Sequence, residues 1–288
     1  MRRFSLLLFL CASLLAAGQK RANIWTFGDS SAINFNSPLS FLQSSSGFFE
    51  TSSMCQKDSG SLLFYCDAKY IYGGDNSIID SFPDDNFASL SIPMPGNDSL
   101  YYIFLVYNSY FGIKYTLFNT KLNSGNGGVQ PGYNEVYLDS SSSIHEQITA
   151  VHHSNNCDVW IVVHNDTDDV FKSYLVTSSG ILPPVISHAG VHFTGLEPAL
   201  GIMKFSTDGN MLAMTINNRG VSGNPAVMLS GVAIFHFNNQ TGIISDYLSD
   251  LAGPMPLTTG QYFHGVSFSC DNSKLYFSKN TGEIFQMD

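Results

Sequence analysis

Short apolar runs separated by Asp- or Asn-led turns recur along the whole chain. The two clearest are KFSTDGNMLAM, Lys204 to Met214, and SFSCDNSKLYF, Ser267 to Phe277. In each, an apolar run reaches a Phe-Ser, a polar turn follows, and a second apolar run leaves it. Asp208-Gly209 and Asp271-Asn272 bond their own backbone and tolerate positive φ, as a tight turn between antiparallel strands requires. Aligned on the second run, five units appear: SLLFY (61–65), LYYIF (100–104), DVWIV (158–162), NMLAM (210–214) and SKLYF (273–277). Their centres, Leu63, Tyr102, Trp160, Leu212 and Leu275, are spaced 39, 58, 52 and 63 residues apart. Each unit continues into a further strand: KYIYGG (69–74), IKYTLFNTKLNSG (113–125), FKSYLVTSSG (171–180), VAIFHFNNQTG (232–242) and GEIFQMD (282–288). Upstream, NIWTFGDSSAINF predicts one or two strands around a Gly-Asp-Ser-Ser turn. Ser37 to Phe49, Ser-rich with Pro38 and Gly47, reads as connecting loop. Helical spacing with caps is hard to find; the nearest candidate, Ser143 to His153, serves equally as a loop entering a strand.

Repeats of this length, each worth three or four strands, predict an all-β chain folded as a β-propeller of four-stranded antiparallel blades. A lone sheet exposes two faces, and only neighbouring sheets can bury both. A pair of β-sandwiches is the alternative, disfavoured by the in-register hairpins. Five aligned units are either a small whole ring or the first part of a six- or seven-bladed one. The expectation is about five repeats over residues 19–288, forming an incomplete ring cut short near Asp288.

The first residues set the compartment. Arg2-Arg3, the apolar run Phe4 to Ala17 and the small residues Ala16-Ala17-Gly18 form the pattern of a cleaved secretory signal, residues 1–18. Fourteen apolar residues fall short of the ~20 that a membrane-spanning helix needs. No later stretch is long and apolar enough either. Without Arg2 and Arg3 the balance is 11 basic against 23 acidic residues, a net charge of −12, and a negative surface repels nucleic acid. Charged residues make up 12% of the chain and aromatics 13%, against a charged share of ~25% in ordinary globular domains. Ser, Asn, Gly, Tyr and Phe fill the difference, as suits short strands and polar turns outside the cytoplasm. Beyond the signal lie Cys55, Cys66, Cys157 and Cys270. Cys55 and Cys66 flank one hairpin and are the pair the pattern would bridge, though free buried cysteines fit the same strands.

Taken in order, NIWTFGDSSAINF, SGSLLFYCD, PGNDSLYYIF, ITAVHHSNNCDVWIVVH, FKSYLVTSSG, KFSTDGNMLAM, FHFNNQTG and GVSFSCDNSKLYFS resemble the N-terminal propeller region of large secreted proteins of gliding-type bacteria. Those proteins usually end in a type-IX-secretion, type B sorting domain, and their propellers are similar in fold to WD-repeat and lactonase-type propellers. The resemblance spans Ala22 to Asp288. It implies a bacterial protein, secreted or held on the extracellular face of the outer membrane, in a family mostly without assigned activity. This chain departs in having no sorting domain after Met287-Asp288. In a bacterial setting the Asn-x-Ser/Thr triplets at Asn97, Asn165 and Asn239 would carry no glycan.

Candidate chemistry is sparse. Phe27-Gly28-Asp29-Ser30 resembles the nucleophile block of GDS-type esterases, in which Ser30 would attack an ester with the help of a late Asp-x-x-His. No Asp here has a His three residues on, and Gly-x-Asn-Asp is displaced by one in Pro95-Gly96-Asn97-Asp98. His152-His153 and His164 lie on consecutive strands of one predicted hairpin, where a metal pair is geometrically possible, without any Cys-x-x-Cys or His-Glu-x-x-His. Asn165-Asp166-Thr167-Asp168-Asp169 offers carboxylates to Ca²⁺ but lacks the Gly and distal Glu of an EF-hand loop; Pro83-Asp84-Asp85-Asn86 is a weaker version. Lactonase-type propellers hold a divalent ion at the channel, and Glu50, Glu146 and Glu197 sit at strand approaches. Trp25, Tyr101, Tyr102, Tyr107, Tyr110, Phe111 and Tyr115 read mostly as packing between blades, with the loop Tyr107 to Phe111 free to stack on sugar or peptide. The sequence therefore predicts a non-catalytic binding or structural module, in adhesion or surface assembly, for a protein or carbohydrate ligand and without a cofactor unless Ca²⁺ is held. A lactonase-type propeller hydrolase with a channel-bound divalent cation is the alternative, with a GDS-type esterase using Ser30 behind it.

Overall fold

A computed structural model describes residues 20–47, 51–56, 58–84, 86–107, 112–140, 144, 147–165, 168–190, 201–219, 228–250 and 262–288. Six antiparallel sheets follow one another along it. The first holds β1 (Ile24–Phe27), β2 (Ser31–Asn34) and β3 (Ser40–Gln43); the second holds β4 (Ser52–Cys55), β5 (Leu62–Cys66), β6 (Tyr70–Gly73) and β7 (Ile78–Ser81). The third is β8 (Asn86–Pro93), β9 (Leu100–Tyr107), β10 (Ile113–Asn119) and β11 (Val136–Asp139). In the fourth, β12 (Ile148–His152), β13 (Val159–His164) and β14 (Val170–Thr177) are joined by β15 (Gly180–Ile181) and β16 (Val185–His188), both paired with β14. The fifth is β17 (Met203–Phe205), β18 (Met211–Arg219), β19 (Met228–Asn238) and β20 (Ile243–Asp250). The sixth is β21 (Phe263–Phe268), β22 (Leu275–Lys279) and β23 (Ile284–Met287). The leading strands adjoin one another, β1 with β4, β4 with β8, β12 with β17 and β17 with β21, so the sheets fan outward from a common inner edge. This is a β-propeller of six blades.

The blade count corrects the expected five. All five aligned runs are second strands of their sheets, β5, β9, β13, β18 and β22. The extra blade is the first. Its strands are four residues long, and its third strand, SFLQ, lies inside the Ser-rich stretch that reads as loop. Three of those four residues are exposed, so no apolar alternation marks them. Ser143 to His153 resolves in favour of strand, with β12 at Ile148–His152.

Packing between blades explains the uninterrupted apolar runs. On β9, Tyr101, Ile103 and Leu105 face Phe64, Cys66 and Ile71 of the second blade. The alternate residues Tyr102, Phe104 and Val106 face Val159, Ile161 and Val163 of the fourth. β13 repeats the arrangement, sending Trp160 and Val162 against Leu212, Met214 and Phe235. A strand buried on both faces must be apolar at every position rather than at every second one. The turns repeat as well. In the fifth blade Ser206 Oγ donates to Asp208 Oδ1 at 2.6 Å and accepts from the Met211 N–H at 2.9 Å. In the sixth, Ser269 does the same with Asp271 and Lys274 at the same distances.

Cys55 and Cys66 are both free and buried. β4 pairs Ser52 with Cys66 and Cys55 with Leu62, so the two cysteines occupy opposite ends of the hairpin. Three residues of strand separate their rows, about 10 Å, beyond the reach of a disulfide. Burial raises the Cys66 thiol to about 11, with Ser91 and Ser89 hydrogen bonds opposing.

Polar side chains fix the blades to one another. Asp67, fully buried, accepts from the Lys69 and Tyr70 amides and from the Ser46 and Tyr72 hydroxyls, tying the end of the first blade to the second. Lys114, also buried, places Nζ 2.5 Å from Asp84 and 2.9 Å from Glu135, above the Tyr137 ring. Burial pulls its pKa down, but Asp84 and Glu135 together outweigh it and the net direction is upward. Asp84 of the Pro83 to Asn86 loop is thus a lysine partner in the structure.

A tyrosine-lined cleft between the third and fourth blades

Of the described residues singled out as metal ligands, His153 stands apart from His164, Asp168 and Asp169. His153 follows β12 at one end of the fourth blade, its Nδ1 accepting from the Asn155 amide and its Nε2 3.2 Å from the Gln240 carbonyl oxygen. His164 closes β13 at the other end, since β13 runs from Val159, the partner of His152, to His164, the partner of Phe171. Its Nδ1 lies 2.9 Å from Gln147 Oε1, and burial lowers its pKa to about 4 while the charges of Asp168 and Asp169 pull the other way. Asp168 accepts from the Val170 amide and from Asn165 Nδ2, and Asp169 from His188 Nδ1 at 2.9 Å. Asp166 lies outside the described residues, as do Glu50, Glu146, Glu197 and the loop residues 108–111. Among the described residues, no three His, Cys, Asp or Glu side chains are grouped to hold a metal ion. Asp29 and Ser30 both take positive φ in the β1–β2 turn, where Ser30 bonds the backbone of Ser44 and Ser46.

A different site is built. A cleft of about 730 Å³ opens between the β8–β9 turn, the face of the third blade and the β14–β15 turn of the fourth. Its floor is the cross-strand pair Tyr102 and Leu117 with Tyr115 beside them, the Tyr102 and Tyr115 rings meeting edge to face at 5.5 Å. Tyr133, from the Pro-Gly turn after Gln130, lines the same cleft. Its carbonyl oxygen accepts from the Leu117 amide and its own amide donates to the Gln130 carbonyl oxygen, so the ring is carried on a tied-down loop. Burial raises the Tyr102 and Tyr115 phenols, and the neighbouring phenol of Tyr133 adds to both shifts. The three tyrosines line one cleft, and among the described residues none of their hydroxyls has a hydrogen-bond partner. Amides complete the rim: Asn119 Nδ2 donates to Gln130 Oε1 at 2.9 Å, and Asn97 Oδ1 accepts from Ser99 and Leu100. None of the described residues lining the cleft is charged, on a chain whose net charge is −10.

Sequence reasoning places Tyr102 and Tyr115 in the packing between blades, and in the structure both also line the cleft. It does not reach Tyr133. Pro131-Gly132-Tyr133 signals a turn, and nothing local says that the ring returns over a neighbouring strand.

No protein-family model matches the chain, and comparison with curated proteins gives no match. Among solved structures it is similar to hydrazine synthase of Kuenenia stuttgartiensis at 11% identity and a TM-score of 0.49, covering 93% of this chain and 76% of that one. It is also similar to the C-terminal WD40 domain of Sif2, at 12% identity and 0.46 over 91% and 79% of the two chains. A lactonase-like propeller from Bacteroides uniformis aligns at 12% identity and 0.38 over 88% and 73%. Resemblance at such identity concerns the fold, and no chemistry is transferred from it.

Proposed function

We propose that this protein is a secreted or cell-surface β-propeller that binds, without transforming, an uncharged saccharide in the cleft between its third and fourth blades. The observation that carries the reading is the lining: among the described residues, three phenol hydroxyls without a hydrogen-bond partner and several amides over an aromatic floor, with no charged side chain. A sugar ring presents an apolar C–H face that stacks on an aromatic ring and a girdle of hydroxyls that pair with phenols and amides. The volume falls inside the ~300–1,000 Å³ of small-ligand sites. A phosphorylated or carboxylated ligand would find no cation among the described lining residues to offset its charge. The N-terminal pattern of Arg2-Arg3, Phe4 to Ala17 and the small residues before Gln19 supports export, where neutral polysaccharides are met.

Titration calorimetry with neutral oligosaccharides tests this. Binding is expected for at least one neutral glycan, with affinity falling about tenfold in Tyr115→Ala and Tyr133→Ala, as loss of one ring contact of ~1.5 kcal/mol requires. Binding unchanged in both variants would refute the site. Binding confined to a proline-rich peptide would refute the ligand class.

A further inference from the structure

The first blade carries a second surface that the cleft does not explain. One face of its sheet, with Ile24, Thr26 and Ala32, is buried toward the second blade. There Thr26 and Thr51 share a hydrogen bond, and Ser53 Oγ donates to the Ile24 carbonyl oxygen. The opposite face is open. The register β1–β2–β3 puts Trp25, Ile33 and Phe41 in one row across the sheet, with Phe27 beside them and Phe35 and Leu39 at the end of the same face. Trp25 is 51% exposed and Phe41 81%, and Phe27, Phe35 and Leu39 are exposed too. The Trp25 and Phe35 rings touch, with centroids 4.9 Å apart, so the patch is continuous. The polar residues on this face are Ser31 and Gln43, and none is charged.

Scattered exposed apolar residues are ordinary, but a contiguous uncharged patch of this size marks an interface. We propose that it is a self-association surface, on which two copies of this chain pack their first blades face to face about a two-fold axis. Three observations choose a second copy. An isologous contact is self-complementary, with residue i meeting j and j meeting i, so a chain with a net charge of −10 can meet itself through an uncharged apolar face without setting like charges against each other. The opposite face of the sixth blade is the other candidate within the molecule, and with Ser267, Tyr276, Ser278, Ile284 and Gln286 it is mostly polar. Finally, the exposed parts of the four aromatic rings and Leu39 come to about 500 Å² per copy, taking ~150–250 Å² for each ring. Two copies then bury about 1,000 Å², the threshold of a specific interface. Sheet faces packed in this way sit ~10 Å apart, the arrangement that already joins the blades within the molecule.

Sedimentation equilibrium of the purified protein over a micromolar range reads the association directly. The mass is expected to double, and Phe41→Glu to return it to that of one chain with an unchanged circular dichroism spectrum. The two tryptophans give an independent measurement, because Trp160 is buried and Trp25 lies in the patch. Iodide is expected to quench Trp25 emission in dilute protein and in Phe41→Glu, and to lose access as wild-type concentration rises. A wild-type chain that stays monomeric throughout would overturn the proposal and leave the face to a different protein. A dimer unaffected by both Phe41→Glu and Trp25→Ser would overturn it equally.

Discussion

Mild acid should weaken this fold through His164. The ring is buried against Phe171, 4.4 Å between centroids, with Nδ1 held at Gln147. Desolvation lowers its pKa from 6.5 to about 4, and the carboxylates of Asp168 and Asp169 do not offset it. In the unfolded chain the imidazole takes up a proton as pH falls through 6.5, whereas in the fold it stays neutral until about 4. Between those values the unfolded state binds more protons, so stability rises with pH. The stabilisation is complete above pH 6.5, is lost as pH falls toward 4, and is constant below. The gap between 6.5 and about 4, at about 1.36 kcal/mol per pH unit, is worth about 3 kcal/mol, of which about 2 kcal/mol falls between pH 7 and pH 5. Urea unfolding followed through the buried Trp160 measures it. His164→Asn keeps a donor near Gln147 and cannot titrate, so its own packing loss appears equally at both pH values. The wild type is expected to lose about 2 kcal/mol more than His164→Asn between pH 7 and pH 5. Parallel losses in the two proteins would show that His164 is not buried as a neutral ring.

Two further outcomes follow from buried groups. Lys114→Met leaves the carboxylate of Glu135, itself only 4% exposed, without its cation. Breaking a buried pair in this way costs about 3–5 kcal/mol, so a large fall in the thermal unfolding midpoint is expected, and a shift within error would mean the cluster is solvated. Of Cys55, Cys66, Cys157 and Cys270, iodoacetamide at pH 8 should modify the exposed Cys157 and Cys270 quickly, while Cys55 and Cys66, buried and raised in pKa, react only after unfolding. Four cysteines reacting at one rate in the native protein would contradict the placement of β4 and β5.

The chain itself determines the all-β architecture. Paired apolar runs with Asp-led turns locate the second and third strands of five blades, because turn chemistry and strand alternation are local properties. The doubly apolar runs at Tyr101 to Val106 and Val159 to Val163 also announce sheets covered on both sides. The first blade escapes this reading because SFLQ exposes three of its four residues and has no periodicity to follow. Long-range placement is what only the tertiary structure decides. His153 and His164 look like neighbours on a hairpin and stand at its opposite ends, since a strand carries them about 3.3 Å further apart with every residue. Cys55 and Cys66 separate for the same reason. Tyr133 reaches Tyr102 and Tyr115 only because a loop folds back over the third blade, and the Trp25 face is open only because of where the other blades lie. Local chemistry writes the strands; which residues share a cleft or an open face depends on contacts between segments far apart in the chain.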